Sequence, residues 1–160
     1  MKLWRIATDT RQYSADDLSS AGAARHPGRW NDTGQNIVYA APSISTAVLE
    51  TAAHIDDNGL PLNRYLLELD VPDDVWAARE ALDVATLPIT WASIPAGRAS
   101  VKIGSTWLAS LRSPILLAPS VLVPEELVAL VNPAHAMSQR ITARIVRLFE
   151  YNRLFRPYSQ

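Results

Sequence analysis

Residues 64–71, Arg-Tyr-Leu-Leu-Glu-Leu-Asp-Val, constrain the fold more than any other segment. Tyr65, Leu67, Leu69 and Val71 fall on one side of an extended chain, and Glu68 and Asp70 on the other. Successive side chains of a strand point to opposite faces, so this pattern predicts a β-strand with one face on a core. Such a strand needs neighbours for its backbone hydrogen bonds and a cover for its apolar side. Strand partners are expected at residues 2–7 and 36–41, and in a late alternating segment at 142–150. The apolar segments 115–118 and 121–123 read as a strand pair or one bent strand. The cover comes from helices. Ser43 is placed to cap a helix on which Ile44, Ala47, Val48, Thr51, Ala52 and Ile55 share one face at the 3.6 period. Asn58-Gly59 is expected to stop it. A second helix is expected over about residues 99–110. Residues 8–34 are polar and turn-rich, and read as a long loop. The expected class is α+β, a mixed sheet core with flanking helices and loops that can carry a site.

Eleven prolines and six glycines punctuate the chain without any repeat, which fits many short elements in one domain over residues 1–160. With 48% hydrophobic and 19% charged residues the chain can build a core, which argues against disorder. It has no cysteine, so disulfide and thiolate chemistry are excluded. No apolar run approaches the roughly 20 residues that cross a bilayer, and the start lacks a signal-peptide pattern; a cytoplasmic protein without membrane contact is expected. A formal net charge of -1 gives no general pull on nucleic acid. Five arginines gather near the end, at Arg140, Arg144, Arg147, Arg153 and Arg156. They form either a solvated face or a docking surface for an acidic partner or a nucleotide.

The common enzyme signatures are missing: there is no P-loop, GxGxxG, HExxH or GxSxG, and His26, His54 and His135 lack metal-ligand spacing. Three polar clusters remain. In Gly28-Arg29-Trp30-Asn31-Asp32-Thr33-Gly34, two glycines allow sharp turns and close approach of the backbone to a ligand. Arg29 there offers a planar fork suited to a diphosphate. Trp30 is either a packing anchor or a stacking face. In the second cluster, Tyr39 ends an apolar strand and Glu50 lies on the following helix one turn before His54. Glu50 is then either half of a surface pair or a carboxylate leaning into a cleft. The third is Ser120 in the apolar stretch 115–123, where a buried hydroxyl must bond to backbone or face a site. Asn132-Pro133-Ala134-His135 most simply turns or caps the chain.

In this order and spacing, Leu3-Trp4-Arg5-Ile6, Gly28-Arg29-Trp30-Asn31, Gly34, Val38-Tyr39, Leu49-Glu50, Pro119-Ser120, Asn132-Pro133, His135 and Tyr151-Asn152-Arg153-Leu154 resemble the RES domain family, named for its Arg, Glu and Ser. The resemblance spans nearly the whole chain. Two places depart from the usual pattern, Glu125-Glu126-Leu127-Val128 and Phe149-Glu150. The resemblance implies a fold like that of the ADP-ribosyltransferases, with NAD⁺ bound in a cleft as substrate and no metal. It implies a toxin that depletes NAD⁺ by hydrolysis or phosphorolysis, or transfers ADP-ribose to a protein. Its partner would be an Xre-like antitoxin whose C-terminal part covers the cleft.

On that footing Arg29, Glu50 and Ser120 are the expected catalytic residues. Arg29 clamps the diphosphate, Glu50 stabilises the positive charge that develops on the ribose, and Ser120 positions that ribose. Tyr39 and Trp30 are expected to line the NAD⁺ site, and Arg5 to orient Glu50 or a phosphate. A non-catalytic partner-binding domain is the alternative from another class. A nucleic-acid-targeting toxin is disfavoured by the charge.

Overall fold

The computed structural model describes residues 1–55 and 59–155, so Asn58 and Arg156 lie outside the described residues. The strand read first from the sequence is β3 (Arg64–Asp70), the middle strand of a three-stranded antiparallel sheet between β1 (Lys2–Thr8) and β7 (Thr142–Leu148). Lys2 pairs with Asp70 and Thr8 with Arg64, so β1 and β3 match along their whole lengths. A second sheet has the order β2 (Val38–Ala40), β6 (Leu127–Val131), β5 (Ile115–Pro119), β4 (Glu80–Ala81). It is antiparallel apart from the β4–β5 pair. The two sheets are stitched at one point, where Trp4 and Ala41 exchange backbone hydrogen bonds of 2.8 Å.

Alternation then decides what packs where. Leu3, Ala7, Leu67 and Leu69 leave the first sheet on the face that meets Val38, Ala40, Ile115, Leu117, Ala129 and Val131 of the second. The far face of the second sheet carries Ile37, Leu116, Ala118, Val128 and Leu130, and is covered by Trp30, Trp91 and Trp107. Trp107 belongs to α4 (Arg98–Ser110). The far face of the first sheet, with Ile6 and Leu66, is covered by Val48 and Ala52 of α2 (Ile44–Ala52) and by Phe149 and Tyr151. Each fully buried Leu contributes about 2 kcal/mol relative to an exposed one. Glu68 is only 8% exposed on that same face, and its charge is met by Lys2 at 2.8 Å and Arg144 at 2.9 Å. Ser43 caps α2 as expected, its hydroxyl accepting from Thr46 N at 3.0 Å; the helix ends at Ala52.

Some elements differ from the expectation. Leu127–Val131 is a central strand that alternation does not reveal, because it is apolar on both faces. Residues 121–123 are a turn: the N–H groups of Leu122 and Val123 both bond to Ser120 Oγ at 3.1 Å and leave the ladder. The loop 8–34 contains a short helix, α1 (Ala21–Arg25), and residues 72–97 contain α3 (Asp73–Ala77) and β4. No helix among the described residues is long and apolar enough to cross a membrane.

Candidate active site

Strand β5 ends at Pro119, and Ser120 follows it against α2. Ser120 is 1% exposed. Its hydroxyl donates to Glu50 Oε1 at 2.5 Å and accepts from the two turn amides just described. Every hydrogen-bonding direction of this buried hydroxyl is used, and the carboxylate it holds is only half-buried. A hydrogen bond to an ionised acceptor is about twice as strong as a neutral one. Glu50 is thereby fixed at the start of the turn after β5, with one oxygen turned to protein.

The second part of the site is the loop 28–34, whose Arg29 lies within the field of Glu50. Its organiser is Asn31, 1% exposed. Asn31 Oδ1 accepts from Gly28 N and from the Tyr39 hydroxyl, both at 2.8 Å. Its Nδ2 donates to the carbonyls of Ala23 (3.0 Å) and Gln35 (3.1 Å). The Tyr39 hydroxyl also accepts from Trp30 N at 3.0 Å, so Tyr39 staples the loop at two places. Burial pushes the Tyr39 phenol well above its usual value, which keeps the proton that Asn31 receives. Gly28 lies against this tyrosine: a Cβ there would sit 2.7 Å from its oxygen. Trp30 is 2% exposed and stacks on Trp91 at 6.2 Å with an interplanar angle of 22°.

Between these anchors stands Arg29, half-buried. Its Nη1 donates to the carbonyls of Trp91 (2.7 Å) and Ser93 (3.0 Å). Both hydrogens of that nitrogen are taken, and among the described residues Nε and Nη2 donate to no protein acceptor. Burial lowers the guanidinium's pKa, opposed first by the charge of Glu50 and then by Tyr39. An arginine stays charged despite such a shift. The site therefore presents a held cation and a held carboxylate that sense each other's field without forming an ion pair, with donors to spare for a ligand.

Sequence comparison decides the family. The RES domain model matches residues 2–152. The chain belongs to the RES domain family. It is 54% identical over 149 residues to the Prs ADP-ribosylating toxin of Sphingobium sp. (strain YBL2), covering 93% of this chain and 92% of that one. It is 37% identical to the Toxin Res of Yersinia enterocolitica serotype O:8, covering 87% and 88%. The fold is that of a chain in the crystal structure of the M. tuberculosis MbcT-MbcA toxin-antitoxin complex, with a TM-score of 0.64 at 16% identity over 91% of this chain and 83% of that one.

Within this RES domain the structure brings together four of the residues singled out in the sequence: Tyr39, Arg29, Glu50 and Ser120. Trp30 takes the place of a packing anchor, its ring closed off against Trp91. Arg5 lies beside Asp17 and Tyr13, not Glu50. Asn132 and His135 turn the chain: Asn132 Nδ2 donates to Leu108 O at 2.9 Å, and His135 Nδ1 accepts from Met137 N at 3.2 Å. Three contributors escaped the sequence reading. The carbonyls of Trp91 and Ser93 belong to the backbone and leave no side-chain signal. Gly104, inside α4, meets the backbone of Trp30 so closely that a Cβ would lie 1.8 Å from its carbonyl oxygen. A glycine in a helical run was the available clue.

Proposed function

We propose that this chain is the toxin of a toxin–antitoxin pair and cleaves the nicotinamide–ribose bond of NAD⁺ in the cytoplasm of the cell that makes it. The observation that carries the reaction is the Ser120-held Glu50 carboxylate within the field of the Arg29 cation. Breaking the bond sends the electron pair to nicotinamide, which leaves neutral, and builds positive charge on the ribose. A fixed carboxylate beside that charge stabilises it without reorganising. Arg29 Nε and Nη2 are the donors for the diphosphate, and Tyr39 closes the pocket through the loop it staples. Ser120 acts through Glu50, since its one proton goes there. The nucleophile that takes the ADP-ribosyl group gives up its proton to solvent.

Toxin names among the relatives support the toxin reading, and the neighbour solved together with an antitoxin supports a partner. We take that partner to be an Xre-like antitoxin whose C-terminal part covers the Arg29–Glu50 cleft. A second reading concerns the acceptor. The 54% identity to a Prs ADP-ribosylating toxin favours a protein side chain over water or phosphate.

The test is NAD⁺ content and growth after inducing the chain without an antitoxin, beside Arg29→Ala and Glu50→Ala at equal soluble levels. A fall in NAD⁺ that both variants abolish supports the proposal. Labelled NAD⁺ then separates the acceptors: label retained on a protein indicates transfer, and free ADP-ribose or its phosphorylated form indicates breakdown. An unchanged NAD⁺ pool with no labelled protein overturns the reading.

A further inference from the structure

The loop between β5 and β6 opens at Ser120 and closes at Glu126. Pro119 pairs with Leu127 at the end of the ladder, and one step further Ser120 N donates to Glu126 O at 2.9 Å. Residues opposite each other in an antiparallel pair send their side chains to the same face, with Cβ atoms about 5 Å apart. Here both side chains meet α2. Ser120 holds Glu50, and Glu126 Oε2 accepts from the Thr46 hydroxyl at 3.3 Å. Thr46 and Glu50 are four residues apart, so they share one face of the helix and stand about 6 Å apart along it. The spacing of the strand pair matches the spacing of the helical pair, and the loop grips α2 at two points one turn apart.

Proton accounting fixes the direction of the second grip. Thr46 is 5% exposed, and a buried hydroxyl needs partners. Its one proton goes to Glu126. The 2.7 Å contact between Ser43 Oγ and Thr46 Oγ1 therefore runs from Ser43, whose oxygen accepts from Thr46 N at 3.0 Å. A chain of hydrogen bonds thus starts at the cap of α2 and ends on a carboxylate, which polarises every link toward the charge. A negative charge beside the first turn is also favoured by the helix dipole. Removing the carboxylate leaves a buried donor unpaired and the cap without its anchor. One grip lets a helix pivot about it; two grips a turn apart do not. With Glu126 gone, α2 can turn about the Ser120–Glu50 bond, and the Glu50 oxygen that Ser120 does not hold turns with it.

We propose that Glu126 is a positioning residue for Glu50. It acts through Thr46 and α2 rather than on the substrate, and sets the angle at which the Glu50 carboxylate meets the charge that develops on the ribose. This rests on the NAD⁺-cleavage reading. Its kinetic signature follows from the roles of the two halves of the site. Glu50 stabilises a charge that exists only as the bond breaks, whereas Arg29 binds the diphosphate already present in the substrate. Losing the position of Glu50 therefore lowers kcat and leaves KM unchanged.

The experiment is nicotinamide release from NAD⁺ by the purified wild type, Glu126→Ala, Glu126→Gln and Thr46→Val, each well below its Tm. Glu126→Ala should lower kcat about tenfold, the scale of one hydrogen bond to a charged group, with KM unchanged. Glu126→Gln keeps an oxygen for Thr46 and should recover most of the rate. Thr46→Val removes the other end of the same bond, so adding it to Glu126→Ala should cost nothing further. The deciding comparison repeats Glu126→Ala in a Glu50→Gln background. With no carboxylate left to position, the loss should shrink to about twofold or less. Equal losses in the two backgrounds would mean a general loosening of the fold, and would overturn the proposal. So would wild-type kcat in Glu126→Ala. A wild type that releases no nicotinamide fails the NAD⁺ reading instead. The grip is then judged by amide exchange at Leu122 and Val123, whose acceptor is the Ser120 oxygen that holds Glu50. Faster exchange in Glu126→Ala but not in Glu126→Gln supports it, and unchanged exchange overturns it.

Discussion

Replacing Gly104 by alanine tests whether α4 sets the position of the Arg29 loop. The new Cβ would lie 1.8 Å from Trp30 O, 2.7 Å from its carbonyl carbon and 3.0 Å from its Cα. An ordinary carbon–oxygen contact is about 3.3 Å, so helix and loop must part by about 1.5 Å. Trp30 has little room to yield, being 2% exposed, stacked on Trp91 and tied at its amide to Tyr39. Overpacking of this kind costs about 1–3 kcal/mol, and the strained Tyr39 hydrogen bond about 1 kcal/mol more. Better helix propensity returns up to about 1 kcal/mol. The net loss of about 1–3 kcal/mol lowers Tm by on the order of 5 °C. Arg29 is the residue before Trp30, and a displacement of about an ångström at a clamp slows turnover on the order of 10²-fold. Differential scanning fluorimetry and NAD⁺ consumption by the purified variant read the two effects. Gly97→Ala is the control, because its Cβ meets nothing nearer than Ser93 Cβ at 3.9 Å. Wild-type melting and wild-type turnover in Gly104→Ala would refute the idea that this close approach positions the loop.

Ser120→Ala leaves the amides of Leu122 and Val123 without their acceptor, so about 1–3 kcal/mol of stability should go. Its kcat should also fall as Glu50 loses its anchor, which steady-state kinetics beside a melting curve will separate. Tyr39→Phe removes the hydroxyl shared by Asn31 and Trp30; a loss of about 1–2 kcal/mol and faster amide exchange at residues 28–31 are expected. Glu68 has its carboxyl held below the ordinary 4.5, chiefly by hydrogen bonds from Lys2 and then from Arg144. A depressed folded-state pKa stabilises above 4.5 and ceases to as the pH falls through the lower folded value. Melting temperature should drop across that acidic window, and Glu68→Gln should flatten the drop; parallel curves for the two proteins would count against the ion pairs.

The elements that were legible in the sequence are those whose two faces differ in polarity, whether or not both are covered. In β3 the run Tyr65, Leu67, Leu69 against Glu68 and Asp70 showed its period, and in α2 the Ser43 cap and the apolar stripe did the same. Leu127–Val131 hid because both of its faces are buried and a continuous apolar run has no period to read. Ser120 looked like punctuation in a strand; its hydroxyl in fact ends the strand by drawing in the next amides, and the same bonds place it on Glu50. The four side chains that the fold brings together, Arg29, Tyr39, Glu50 and Ser120, could be singled out from residue type and order. What holds them could not, because carbonyls of Trp91 and Ser93 and the missing Cβ of Gly104 are features of backbone and space. Nor does the strand pattern say that Arg5 meets Asp17, since that depends on how residues 8–26 fold back over β1.

The measurement closest to the central claim is nicotinamide release from NAD⁺ by the purified chain and by Glu50→Gln. The variant keeps the size of the side chain and an oxygen for the Ser120 hydroxyl, and removes only the charge. The account predicts steady release by the wild type and a rate lower on the order of 10²–10³-fold in the variant, with melting little changed. Equal release by the two proteins, or none by a folded wild type given NAD⁺ and an acceptor protein, would contradict it.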